Sequence, residues 1–219
     1  MRLIANWKQN KNVDEARLWM REATVRFSAE MPIKAELIVA PSFQLIETVN
    51  ESNADGFFKL AAQDVSQFEG GKHTGEVSAA QLSSLVEYAI IGHSERRSVG
   101  DNPEIVNLKI AQCLANKITP IVCFSDAEQF KAISPQSQNE QMIFAYEPLE
   151  SIGTNNPATK ESIVDMKEKT GLKEFIYGGS VDSETVKSYL TLDFIKGFLI
   201  GTASLNTDSF YALYQVISL

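Results

Sequence analysis

Short apolar runs alternate with amphipathic stretches along the whole chain. Leu3 to Asn6 reads as a buried strand. Asp14 to Ala29 repeats its apolar positions at helical spacing, with Ala16, Leu18, Trp19, Ala23 and Phe27 as expected core contacts. Leu37 to Ala40 is a second strand, ended by Pro41, and Gln44 to Glu51 a short helix. Phe58 to Ala62 is the third strand. A polar, glycine-bearing loop follows over Gln67 to Glu76, then a helix over Ala79 to Glu87. Ala89 to Gly92 is the fourth strand, and Pro103 opens a helix that runs to Asn116. Pro120 to Phe124 is the fifth strand. Ser125 to Glu140 is polar, interrupted by Pro135, and holds one weak helix of about ten residues. Ile143 to Tyr146 is the sixth strand, followed by a helix over Thr159 to Lys169. Glu174 to Tyr177 is the seventh strand, with a helix over Ser183 to Leu190. Gly197 to Ile200 is the eighth, and Thr207 to Ile217 the last helix.

Eight strand–helix units of about 27 residues predict a parallel sheet with right-handed crossovers. Eight units close naturally into a (β/α)8 barrel, and an open doubly wound sheet is the alternative. No GxGxxG follows the first strand, which argues against a dinucleotide fold. No linker-like or low-complexity stretch divides the chain, so residues 1–219 are expected to form one domain. Such a barrel typically takes about 250 residues. The shortening is expected in the helices after strands five and six.

Composition narrows the function. Hydrophobic residues make up 44% and charged residues 22% of the 219 positions, as in ordinary globular proteins. No apolar stretch approaches the roughly 20 residues of a membrane helix. The apolar run in MRLIANWKQN is too short for a signal peptide, so a cytoplasmic protein is expected. The net charge of −8 argues against nucleic acid, and any anionic substrate needs a local positive field. Cys113 and Cys123 form no CxxC pair and read as small buried hydrophobes. His73 and His93 lack metal-ligand spacing, so no metal site is expected.

In a barrel the chemistry gathers at the C-terminal ends of the strands. Strand one ends in Asn6, Trp7 and Lys8, and strand four in His93, Ser94, Glu95 and Arg96. Strand six ends in Glu147, which the stiff Pro148 follows. Strand seven ends in Gly178, Gly179 and Ser180, and strand eight in Gly201 and Thr202. An amide, an ammonium, an imidazole and a carboxylate therefore share one rim with two small-residue turns that can offer backbone N–H groups to an anion. Glu147, at a strand end before a hinged loop, suits a general base under a lid.

These segments resemble the triosephosphate isomerase family over the whole chain. The resemblance rests on Asn6-Trp7-Lys8, Thr74-Gly75-Glu76-Val77-Ser78 and Ile91-Gly92-His93-Ser94-Glu95-Arg96-Arg97. It continues in Ala145-Tyr146-Glu147-Pro148 with Ile152-Gly153-Thr154, in Tyr177-Gly178-Gly179-Ser180, and in Gly201 to Leu205. It implies a cofactor-free isomerase of glycolysis and gluconeogenesis that interconverts dihydroxyacetone phosphate and glyceraldehyde 3-phosphate through an enediolate. Glu147 would be the base and His93 the neutral electrophile. Lys8 would supply positive charge and Asn6 a donor, with Glu95 holding Lys8. Backbone N–H groups near Gly153, Ser180, Gly201 and Thr202 would hold the phosphate. Pro148, Leu149, Glu150, Ser151, Ile152, Gly153 and Thr154 would form the lid. The loop bearing Thr74, Gly75 and Glu76 would insert into a second subunit of a homodimer. This chain departs from the family pattern at Glu150, where a Trp is usual, and at Cys123-Phe124-Ser125-Asp126, where the family ends with Gly-Glu. Thr202 replaces a second glycine, and the helix after strand five is truncated.

Overall fold

The computed structural model describes residues 1–133, 141–151 and 156–218. Eight parallel strands close into a barrel in sequence order, with β1 pairing both β2 and β8. The strands are β1 (Arg2–Asn6), β2 (Glu36–Ala40), β3 (Phe58–Ala62) and β4 (Tyr88–Ile91), followed by β5 (Thr119–Phe124), β6 (Ile143–Tyr146), β7 (Phe175–Tyr177) and β8 (Ile195–Ile200). The closed barrel, rather than the open sheet, is the architecture.

The strands are apolar on both faces because both faces are covered. Ile4, Ile38, Ala61, Ile90, Ile121, Ile143, Ile176 and Leu199, one from each strand, fill the interior. Their neighbours face outward and pack under the helices, as Leu3, Ala5, Leu37, Val39, Ile91 and Val122 do. This period of two has a functional consequence. Asn6, Glu147, Gly178 and Gly201 follow Ile4, Ala145, Ile176 and Leu199 at the same parity, so the inward row continues into them above the apolar plug.

The helices are α1 (Val13–Ser28), α2 (Ile46–Glu51), α3 (Ala79–Leu82), α4 (Ser94–Ser98), α5 (Pro103–Ala115), α6 (Ala127–Lys131), α7 (Lys160–Thr170), α8 (Ser183–Tyr189) and α9 (Thr207–Ile217). Asn12 caps α1 in a reciprocal capping box with Glu15, and Asn102 caps α5 ahead of Pro103. Leu18 is not a core contact, being 44% exposed. The buried stripe of α1 runs through Ala16, Trp19, Met20, Ala23 and Phe27, and Leu18 lies about 200° round the helix from Ala16. α3 stops at Leu82, short of Glu87, because the Glu87 backbone is used by strands: its N–H donates to Leu60 O at 3.0 Å and its carbonyl accepts from Thr119 N at 2.9 Å. α6 is five residues long, as expected of a truncated helix. The helix after β6 is not shortened: α7 runs eleven residues between a Thr159 cap and a left-handed Gly171, with Ile163 and Met166 buried. Short helices follow β2 and β3 instead, at six and four residues.

Candidate active site

Glu147 is the centre of the rim. Its backbone N–H donates to Phe124 O at 2.8 Å, which fixes the end of β6 against β5. Its side chain is 2% exposed. One carboxylate oxygen, Oε1, lies 3.2 Å from His93 Nε2, and the other accepts from Ser94 N at 3.4 Å. Burial raises its pKa above the ordinary carboxylate value. His93, a hydrogen bond from the Cys123 thiol, the Ser94 N–H and Lys8 all pull in the opposite direction. A carboxylate whose ionised form is desolvated yet still supported by donors is a stronger base than one in water.

His93 reaches this carboxylate because the backbone turns at Gly92. Gly92 has φ 67°, and a Cβ there would stand 2.9 Å from Arg97 Nη2 and 3.1 Å from Val106. Arg97 holds the turn by donating to Gly92 O at 2.7 Å and Cys123 O at 3.0 Å. The Glu95 backbone N–H, in the first turn of α4, donates to His93 Nδ1 at 3.2 Å. A ring nitrogen that accepts carries no proton, so the neutral tautomer has its proton on Nε2, facing Glu147. The positive end of α4 thus acts on the ring through a direct hydrogen bond.

Lys8 has φ 51° in the connection after β1. Its Nζ lies 2.6 Å from Glu95 Oε1. Gln63 donates to both Lys8 O and Ala40 O, at 3.0 and 2.8 Å, and stitches the ends of β1 and β2 together. Asn6 is buried, and its Oδ1 accepts from Lys8 N at 3.2 Å. That leaves the amide nitrogen as its donor end.

These four side chains line a cavity of about 340 Å³ together with the Gly178–Ser180 and Gly201–Thr202 turns. Among the described residues that line it, Lys8 is the only lysine or arginine. A Cβ at Gly178 would lie 2.8 Å from Glu147 Cγ, and one at Gly179 would lie 2.1 Å from the Tyr177 hydroxyl. Both glycines are therefore required by close approach. Thr202 opens a single 3-10 turn, Thr202–Ser204, and is absent from the residues of positive φ. Ser180 donates from both its N–H and its hydroxyl to Ser151 O, at 2.9 and 2.6 Å. The donors expected for phosphate here hold the base of the expected lid.

Of that lid, Leu149–Ser151 forms a short 3-10 turn and Ser151 is buried. Ile152, Gly153 and Thr154 lie outside the described residues. Its far side is anchored where Ala158 N donates to Tyr177 Oη at 2.9 Å. Asp126 caps α6 by accepting from Gln129 N at 2.7 Å.

A family model described as triosephosphate isomerase matches residues 1–217. The chain belongs to the triosephosphate isomerase family. The triosephosphate isomerase of Aquifex aeolicus is 33% identical over 238 residues, covering 95% of this chain and 96% of that protein. That of Mesomycoplasma hyorhinis is 35% identical over 233 residues, covering 96% of each. That of Thermus thermophilus is 33% identical over 247 residues, covering 98% and 97%. These alignments are longer than the chain's 219 residues, so the relatives carry stretches this member of the family lacks.

Gln63 and the Cys123 thiol did not stand out as site residues in the sequence, and Arg97 stood out only as part of the Ile91–Arg97 motif, with no role attached. Cys123 reads as a buried hydrophobe, and only its inward parity with Ile121 points it at the rim. Among the described residues no three His, Cys, Asp or Glu side chains gather as metal ligands would, and no helix is long and apolar enough to cross a membrane.

Proposed function

We propose that this chain interconverts dihydroxyacetone phosphate and glyceraldehyde 3-phosphate, with Glu147 moving the proton between adjacent carbons. The observation that carries the reading is the buried Glu147 carboxylate, 3.2 Å from His93 Nε2, in a small cavity that Lys8 also lines. Substrate entering between the two groups would receive the His93 Nε2 proton as a hydrogen bond on its carbonyl oxygen. Glu147 would then take the proton from the neighbouring carbon. The resulting enediolate carries negative charge on oxygen, and Lys8 and the Asn6 amide stabilise it electrostatically. Proton return to the adjacent carbon, with the hydroxyl proton passed from one oxygen to the other through His93 Nε2, completes the isomerisation. Glu95 positions Lys8 through the 2.6 Å contact.

The phosphate lies toward Ser180, Gly201 and Thr202 in this reading. Since Ser180 donates to Ser151 O in the described arrangement, phosphate engagement exchanges this contact for a ligand contact and ties lid position to occupancy. The lid excludes water from the enediolate. The chain works as a homodimer in a soluble compartment of the cell, the cytoplasm. Support comes from a second cavity of about 340 Å³ that shares Asn6, Lys8 and His93 with the first and is lined also by Gly75 and Glu76 of the Gln67–Glu76 loop. The exposed Phe43 and Phe68, each 38% exposed, suit a covered surface there. A partner's Thr74–Glu76 loop against this cavity would buttress Lys8 from outside.

A coupled assay that follows glyceraldehyde 3-phosphate formation tests the reaction, with Glu147→Gln as the control that removes it. Sedimentation equilibrium tests the dimer. No turnover by the wild-type protein, or a monomer with full activity, would overturn the corresponding part of this reading.

A further inference from the structure

Lys11 lies three residues beyond Lys8 in the connection between β1 and α1. Like Lys8 it holds a left-handed backbone, with φ 70°. Residues with a side chain rarely adopt this conformation, and a long one at both positions calls for a cause. At Lys11 the left-handed backbone is accompanied by a contact across the barrel seam: its Nζ donates to Leu205 O at 2.8 Å. The same ammonium sits over the Trp7 ring at 5.1 Å.

Leu205 closes the turn that follows β8. Its N–H donates to Thr202 O at 3.1 Å, and Ser204 donates to Gly201 O from both its N–H and its hydroxyl, at 2.9 and 2.7 Å. The preceding carbonyl, Ser204 O, accepts from Trp19 Nε1 at 3.0 Å. Two consecutive carbonyls of this turn are therefore held from the α1 side, one by Trp19 and one by Lys11. On the other side Gly201 and Thr202 line the substrate cavity, where a Cβ on Gly201 would stand 3.6 Å from Lys8 Cε. Lys11 lines a separate recess of about 320 Å³ with Glu15, Glu22 and Leu205. Lys8 and Lys11 thus serve different cavities on either side of one turn.

We propose that Lys11 is a positioning residue for the substrate's phosphate, setting the Gly201–Leu205 turn relative to Lys8. The proposal rests on the isomerase reading above for the identity of the substrate. Burial lowers the pKa of Lys11, while the carboxylates of Glu15 and Glu22 act in the opposite direction and favour its charged form. The charged form makes the stronger bond to a carbonyl. Releasing it would let the turn move outward, weakening phosphate contacts while leaving Glu147 and His93 in place. The expected signature is a rise in KM with little change in kcat.

The test uses Lys11→Met, Lys11→Gly and Lys11→Arg in the full chain. Lys11→Gly separates positioning from stability, since glycine adopts φ 70° at no steric cost and this variant should keep or raise Tm. Inorganic phosphate is the binding probe. The chain has two tryptophans, Trp7 and Trp19, and both touch this tie, so intrinsic fluorescence reports on the turn. In Lys11→Met and Lys11→Gly the phosphate Kd and the KM for glyceraldehyde 3-phosphate should each rise about 5–10-fold, with kcat within about twofold. Lys11→Arg, which retains a charged donor, should recover most of the loss. A phosphate Kd within about twofold of wild type in both Lys11→Met and Lys11→Gly overturns the proposal. So does a loss confined to Lys11→Met that tracks a lowered Tm. A wild-type protein that binds phosphate in a Lys11-dependent way but does not isomerise would overturn the isomerase reading and leave the positioning role standing.

Discussion

Gly178→Ala gives the sharpest test of how the base is held. The added Cβ would lie 2.8 Å from Glu147 Cγ, 3.3 Å from Oε1 and 3.5 Å from Cδ. Carbon atoms pack at about 3.5–4.0 Å, so the Glu147 side chain has to give by about 1 Å. It has little room to do so, being 2% exposed and tied to His93 and the Ser94 N–H. Gly178 does not have positive φ, so alanine brings no backbone strain and the effect is steric. A misplacement of about 1 Å in a reacting group costs about 10²-fold in rate, or about 2.7 kcal/mol of barrier. Overpacking of a buried site costs stability as well, on the order of 1–3 kcal/mol. The assay is kcat at saturating glyceraldehyde 3-phosphate, with Tm measured in parallel. The same substitution in a Glu147→Ala background completes the cycle, read as Tm. Alanine has no atom at the Cγ position that the new Cβ meets, so the stability penalty of Gly178→Ala should shrink there to less than about 1 kcal/mol. A Gly178→Ala protein within about threefold of wild-type kcat, or an equal penalty in both backgrounds, would refute the steric argument.

Glu147→Gln should lower turnover by at least about 10²–10⁴-fold. Because burial raises the Glu147 pKa, the folded state binds that proton more tightly than the unfolded chain does. Ionised Glu147 therefore costs stability as pH rises from the ordinary carboxylate value, about 4.3, through the higher folded one. The variant's Tm should exceed wild type at pH 8, and the difference should vanish below about pH 4, which thermal scans across pH will check. Lys109→Met should destabilise the fold by about 3–5 kcal/mol in urea titration. Lys109 is 3% exposed and bonded to both Asp64 and Asp101 at 2.7–2.9 Å, so its loss leaves the half-buried Asp64 and the buried Asp101 with Arg96, at 3.0 and 3.9 Å, as the cation beside them. Thr202→Gly should change kcat/KM by less than about tenfold in either direction, since tenfold corresponds to about 1.4 kcal/mol. Steady-state kinetics will decide, and a gain above about a hundredfold would mean that threonine damages the site.

Much of the architecture is legible in the sequence because both strand faces are apolar and each run ends at a turn signal. Pro41 after β2, Gly92 after β4 and Pro148 after β6 mark those ends. The rim residues are legible for the same reason, since each sits just past an apolar run. Periodicity was less informative where tertiary hydrogen bonds decide. Ser83 to Glu87 has helical spacing, but the Glu87 backbone pairs with Leu60 and Thr119 instead. Leu18 is apolar and in a helix, yet it faces away from the stripe that Trp19 and Phe27 define. The supports of the site were the least visible. Gln63 and Cys123 act through contacts to residues distant in the chain, as Arg97 does in its bond to Cys123 O, and no local pattern announces such partners. Ser180 was legible as a donor, but its present acceptor, Ser151 O, was not.

The pairing of β1 with β8 also has a consequence for biosynthesis. Arg2 sits beside Gly197, and a Cβ at Gly197 would lie 2.3 Å from Arg2 O, so the seam closes tightly at its base. On the ribosome the first strand emerges long before its partner: at about 5–20 residues per second the interval is about 10–40 s. Throughout it, β1 has an open hydrogen-bonding edge on the side away from β2, flanked by apolar side chains on both faces. Such an edge can pair with another nascent chain. The barrel is thus exposed to intermolecular strand exchange during synthesis and not after it, so chaperone dependence should follow translation rate.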